Sequence, residues 1–157
     1  MAGSFASRTD LMRDIDGFAE GLTCSHATEL AMRLIPACHK RGLIVKSKQE
    51  ILVQINRDAP LNRPMSSPEC LFNGVNYILK RHEELLKTCP DAIARYLCIA
   101  GVAAARLGLY SECRKLLFRS VRAYPWSLKN YIRFLVSLNR RVADRVWKYA
   151  DFGSEMK

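Results

Sequence analysis

From residue 67 onwards, proline and glycine fall at intervals that leave room for little except helices packed in succession. Ser67-Pro68 opens the run, Pro90 opens a second stretch, Gly108 closes it and Pro125 closes a third. Proline suits the first helical turn, where its missing N–H is not needed, and glycine suits the residue just past a helix end. Between these marks the apolar residues return every three or four positions: Leu71, Val75, Ile78 and Leu79, then Leu85 and Leu86. That period is the signature of an amphipathic helix. The punctuation predicts helices over 68–87, 90–108, 111–123 and 127–138, with a short last one over 144–149.

The upstream part is more mixed. A helix is expected over 9–15 with Thr9 or Ser7 as its N-cap, and a second over 26–39 with Leu30, Leu34 and Cys38 on one stripe. Pro36 lies inside that second helix and should kink or shorten it. Gly42 ends it. The β-rich stretches 43–45 and 50–55 read as two short strands, and the loop holding Pro60, Pro64 and Pro68 is the natural internal boundary. The fold class is α+β and mostly α, divided into residues 1–66 and 67–157.

Charge separates the two parts further. The net charge of +10 over 157 residues is unevenly placed: residues 1–93 hold 12 Lys/Arg against 11 Asp/Glu, whereas 94–157 hold 13 against 4. A basic C-terminal third suits a polyanion, such as anionic lipid, nucleic acid or an acidic protein face. The six cysteines are scattered without a Cys-x-x-Cys pair. They read as reduced thiols acting as small apolar residues rather than as zinc ligands. No apolar run reaches the roughly 18 residues that a spanning helix needs, and the first ten residues lack the apolar core of a secretory signal. The expectation is a cytoplasmic chain, soluble or peripheral on the inner membrane face.

Residues 94–127 approach the roughly 34-residue helix–turn–helix unit of tetratricopeptide repeats. Gly101 would lie where the two helices approach, Gly108 and Tyr110 would make the turn, and Cys113, Leu117 and Ser120 would line the inner face. One such unit predicts a helical hairpin packed on a neighbour, not a repeat array.

The first half resembles the acceptor side of family 2, GT-A-type glycosyltransferases. That family shows Gly-Ser before an Arg-containing helix start, then Gly-Phe-Asp-Glu, a loop with Glu-Asp, and Glu-Leu-x-x-Arg-Leu. Here the sequence runs Ala2-Gly-Ser-Phe-Ala-Ser-Arg-Thr-Asp-Leu-Met, Ile15-Asp-Gly-Phe-Ala-Glu-Gly-Leu, Thr23-Cys-Ser-His-Ala and Thr28-Glu-Leu-Ala-Met-Arg-Leu. The resemblance implies a truncated GT-A remnant followed by a helical tail. It also puts the family's Glu-Asp pair on His26-Ala27 and turns the Asp of Gly-Phe-Asp-Glu into Ala19. The implied general base must take a proton from the acceptor hydroxyl, and Ala27 has no group to do so. The family's donor half, which carries the Asp-x-Asp that holds Mg²⁺ or Mn²⁺ and the nucleotide sugar, has no counterpart here. Asp14-Ile-Asp16 stands on the wrong side of the motif order and reads as helix-end carboxylates. No cofactor or metal is therefore expected on this chain, which should be inactive alone and would need a separate donor-binding polypeptide.

The candidate residues carry two readings each. His26 is a weak substitute base or simply a helix-start residue. Glu29 and Arg33, one turn apart in the favourable order, form an ion pair that supports the helix or, by the resemblance, contact the acceptor. The basic set is Arg114, Lys115, Arg119, Arg122, Arg133, Arg140, Arg141, Arg145 and Lys148, interleaved with Tyr124, Trp126, Tyr131, Phe134 and Trp147. It reads as a solvated face, as an anionic-membrane surface or, least favoured, as a nucleic-acid surface. The rival to the glycosyltransferase reading is a helical interaction module in which residues 67–157 do the work.

Overall fold

The computed structural model of the chain describes residues 6–22, 24–46 and 67–147. Among the described residues there are eight helices and no strand. The chain divides into two compact units, Met1–Arg63 and Pro64–Lys157, where the sequence suggested a boundary after residue 66.

The N-terminal unit contains α1 (Thr9–Asp14) and α2 (His26–Lys40). The N-cap of α1 is Arg8, not Thr9 or Ser7, and no side chain caps it. Apolar Leu11, Leu22, Leu30 and Cys38 are buried. Pro36 does not shorten α2, which runs four residues beyond it. The helix closes at Gly42, whose φ of +66° is open to glycine at no steric cost. Its N–H donates to the His39 carbonyl at 3.0 Å, and the Leu43 N–H reaches back to the Cys38 carbonyl at 2.9 Å. This double closure is a Schellman motif. It also corrects the first expected strand: the Leu43 amide is committed to the helix end, and residues 43–46 form no strand. The second expected strand, 50–55, lies outside the described residues.

The C-terminal unit is built around α5 (Pro90–Arg106), which packs on α3 (Pro68–Arg81) and α6 (Tyr110–Ala123) and touches α4 (Glu83–Lys87), α7 (Leu128–Leu138) and α8 (Arg140–Trp147). The single helix expected over 68–87 breaks at His82, with φ −111°, into α3 and α4. Ser67 caps α3, its hydroxyl accepting from the Cys70 N–H at 3.5 Å, with Pro68 in the first turn. The last helix begins at Arg140, four residues earlier than expected. Asn139 supplies its cap: Oδ1 accepts from the N–H groups of Arg141 at 3.0 Å and Val142 at 3.4 Å.

The α5–α6 hairpin explains its own sequence. Gly108 has φ +79° and closes α5, its N–H donating to Ala105 while the Leu109 N–H donates to Ala104, both at 2.9 Å. A Cβ at Gly101 would lie 2.8 Å from Cγ and 3.0 Å from Cδ2 of the fully buried Leu117. Only glycine permits this approach. Leu97, Cys98, Ala100, Ala104, Cys113, Leu116 and Leu117 form the centre of the core, joined by Val75 from α3 and by Ala143 and Trp147 from α8. At about 25 cal/mol per Å² of apolar surface, each buried Leu contributes roughly 2 kcal/mol.

Cys38, Cys89, Cys98 and Cys113 are free thiols, and all but Cys89 are buried. These four agree with the expectation of thiols acting as small apolar residues. No helix among the described residues is long and apolar enough to cross a membrane.

Candidate functional site

Two places in the sequence carried functional readings, and the structure treats them differently. In the N-terminal unit Glu29 is fully buried. Its carboxylate takes two hydrogen bonds from Arg33, Nε to Oε1 at 2.8 Å and Nη2 to Oε2 at 2.7 Å. Arg33 also donates to the Gly17 carbonyl at 2.7 Å and to the Ile15 carbonyl. The pair therefore staples α2 to the turn that follows α1, where Asp16 and Gly17 both adopt positive φ. A bidentate Arg–carboxylate pair is rigid and strong, and both carboxylate oxygens are occupied by it. His26 starts α2 and meets the Phe18 ring edge-on, centroids 6.4 Å apart. Ala27 follows it in the first turn. Asp14 pairs with Arg41, which also reaches Asp10 at 3.1 Å. The Arg8 side chain, bonded to Asp10, holds that carboxyl below its ordinary pKa. Among the described residues no group of three or more His, Cys, Asp or Glu could hold a metal ion.

The C-terminal unit offers a surface instead. On α7 the residues at i, i+3, i+4, i+7 and i+10, namely Leu128, Tyr131, Ile132, Leu135 and Leu138, share one face, and all five are exposed. The opposite face carries Asn130 and Ser137, and these are buried. The helix thus leaves its broad apolar face outside, while Phe134 and Val136 pack against the core beside the two buried polar residues. The cause is a buried polar knot between three helices. The Cys98 thiol donates to Asn130 Oδ1 at 3.2 Å and lies 3.0 Å from the Ser120 hydroxyl, which in turn donates to the Ala94 carbonyl at 3.0 Å. With Asn130 drawn inward to satisfy this knot, the apolar stripe must face solvent. Phe134 flanks the contact, 5.7 Å from Phe118.

On α8 the inward side is apolar, and a smaller apolar strip is also left open to solvent. Ala143 and Trp147 point into the core, while Val142 and Val146 are exposed. Cations sit one turn apart beside each apolar face: Lys129 and Arg133 on α7, Arg141 and Arg145 on α8, all exposed. From Cys113 to Ala143 the sequence has eight Lys/Arg and no Asp/Glu.

The basic residues read from the sequence divide by environment. Arg119, Arg122, Arg133, Arg141 and Arg145 are exposed. Arg114 bonds the Tyr110 carbonyl at 3.3 Å and Lys115 lies 3.7 Å from Glu112. Arg140 stacks 4.9 Å above the Tyr110 ring and lies 3.9 Å from Asp144, to which the Tyr110 hydroxyl also donates. Arg140 is therefore part of a lock between α6 and α8. Lys148 lies outside the described residues. Lys129 belongs with the exposed set and was missed, although its i, i+4 spacing to Arg133 was a usable signal. Of the aromatics, Tyr124, Trp126 and Tyr131 are exposed, whereas Trp147 is buried.

No protein-family model, curated protein or solved structure matches the chain.

Proposed function

We propose that the chain is a non-catalytic docking chain related to family 2 glycosyltransferases, and that its helical unit binds the surface of an anionic membrane. The observation that carries this reading is the outward face of α7, five exposed apolar side chains with Lys129 and Arg133 beside them. Monomeric proteins rarely leave contiguous apolar faces open to water unless a partner uses them. A helix that buries such a face at the level of the lipid headgroups, with cations against acidic lipid, gains from both terms. The lack of carboxylates from 113 to 143 removes the like-charge repulsion that would oppose it.

The relationship to glycosyltransferases is supported by the order of motifs over residues 2–34 alone. On this reading Ala27 stands where a base is required, and Glu29 is a structural residue already engaged by Arg33. Sugar transfer would then need a separate polypeptide to bind the nucleotide sugar and its Mg²⁺ or Mn²⁺. Co-sedimentation with phosphatidylserine–phosphatidylcholine vesicles, set against phosphatidylcholine alone over a salt series, tests the docking function. Binding should require the acidic lipid and weaken with salt. Equal binding to both vesicles, or to neither, overturns the reading. Turnover of a uridine or guanosine diphosphate sugar with Mn²⁺ by the isolated chain would overturn the non-catalytic part.

A further inference from the structure

We infer that the turn between α6 and α7 is where this surface enters the bilayer, with Trp126 as the inserted anchor and Leu128 behind it; the inference rests on the membrane-docking reading. Three observations meet at this turn. Exposure along the apolar surface is highest at this end. Trp126 is 88% and Leu128 73% exposed, against 40–61% for the rest of the α7 face and 43% for Val142 and Val146 on α8. The α6–α7 end is therefore its most prominent part.

The turn is also built rather than loose. The Ser127 N–H donates to the Tyr124 carbonyl at 3.4 Å, and the Asn130 N–H donates to the Ser127 carbonyl at 3.0 Å. Pro125 occupies the second position of that four-residue turn, which its fixed φ suits. Trp126 is thus presented on a constrained backbone, so little further ordering is needed on binding. Tryptophan has the chemistry for this depth, with a large apolar ring and one N–H that still finds water or a headgroup oxygen.

Charge names the occupant. Arg122 precedes the turn and Lys129 and Arg133 follow it, all exposed, and no acidic side chain lies between Glu112 and Asp144. An acidic lipid headgroup complements these cations, whereas a second copy of this chain would bring an equally cationic face against them.

The chain has a built-in control, because its only other tryptophan, Trp147, is 8% exposed in the core. Adding phosphatidylserine–phosphatidylcholine vesicles should shift tryptophan emission to the blue, and lipids brominated on their acyl chains should quench it. Both responses should vanish in Trp126→Phe, whose remaining tryptophan is already sheltered. Trp126→Ala should weaken vesicle binding by about seventyfold, since a half-inserted indole gives up roughly 100 Å² of apolar surface at about 25 cal/mol per Å². Co-sedimentation without a Trp126 response overturns the anchor while leaving surface docking intact. Absence of co-sedimentation overturns both. A lipid-free dimer that shelters Trp126 from aqueous quencher would assign the face to a second copy and overturn the inference as well.

Discussion

Replacing Gly101 by alanine tests the packing of the helical hairpin with a sign, not only a size. In an exposed helix the change would stabilise by about 1 kcal/mol, because alanine is the better helix former. Here the new methyl would stand 2.8 Å from Leu117 Cγ and 3.4 Å from the Cys113 carbonyl oxygen. Carbon atoms rest at about 3.5–4.0 Å. The crowded atom is a branch carbon of a fully buried side chain and cannot swing aside. Overpacking of this kind costs about 1–3 kcal/mol, and the severity of the contact places Gly101 in the upper half of that range. The net effect should be a loss of about 1–2 kcal/mol. Leu117→Ala alone should cost about 2–5 kcal/mol through its cavity. In that background the clash has gone, so Gly101→Ala should become stabilising by about 0.5–1 kcal/mol. The coupling between the two sites is then about 1.5–3 kcal/mol. Urea unfolding followed by far-ultraviolet circular dichroism reads all four proteins. If Gly101→Ala stabilises the otherwise native chain, the close approach of α5 and α6 is wrong.

Three further outcomes follow from particular contacts. Glu29→Gln leaves the Arg33 guanidinium largely buried without its anion and should cost about 3 kcal/mol, read as lost hydrogen-exchange protection across α2; unchanged protection would mean that the pair is dispensable. Burial pushes the Cys113 thiol up to about 11 from an ordinary 9.0. Because the folded value is the raised one, this stabilising contribution is complete below pH 9 and is lost as pH rises towards 11. Cys113→Ala should flatten that part of the alkaline stability profile, and an unaltered profile would assign the loss to other groups, such as the Tyr96 phenol, which burial also raises. Asn139→Ala removes the cap of α8 and should cost about 1 kcal/mol, with no change in thermal midpoint as the contrary result.

Helix positions in the C-terminal unit were legible because local chemistry sets them. Proline at a first turn, glycine past a last turn and a spacing of three to four each act within a few residues, and Gly101 was readable as a point of close approach. The orientation of α7 was not legible. Its spacing marks an apolar face correctly, but only the tertiary knot of Cys98, Ser120 and Asn130 decides that this face looks outward. The Glu29–Arg33 ion pair was legible from its i, i+4 spacing, but its burial was not, since the same pattern serves on a surface and in a buried staple. The strand expected at 43–45 failed because β-rich residues need a partner, and the helix end had already taken the Leu43 amide.

The most direct measurement is vesicle binding by Leu135→Glu, which puts a carboxylate in the middle of the exposed α7 face without touching the core. The helical unit should keep its far-ultraviolet spectrum and its unfolding midpoint, while affinity for phosphatidylserine-containing vesicles falls by at least about tenfold, from lost apolar burial and from repulsion together. A folded Leu135→Glu protein that binds those vesicles as well as the native chain does would contradict the account.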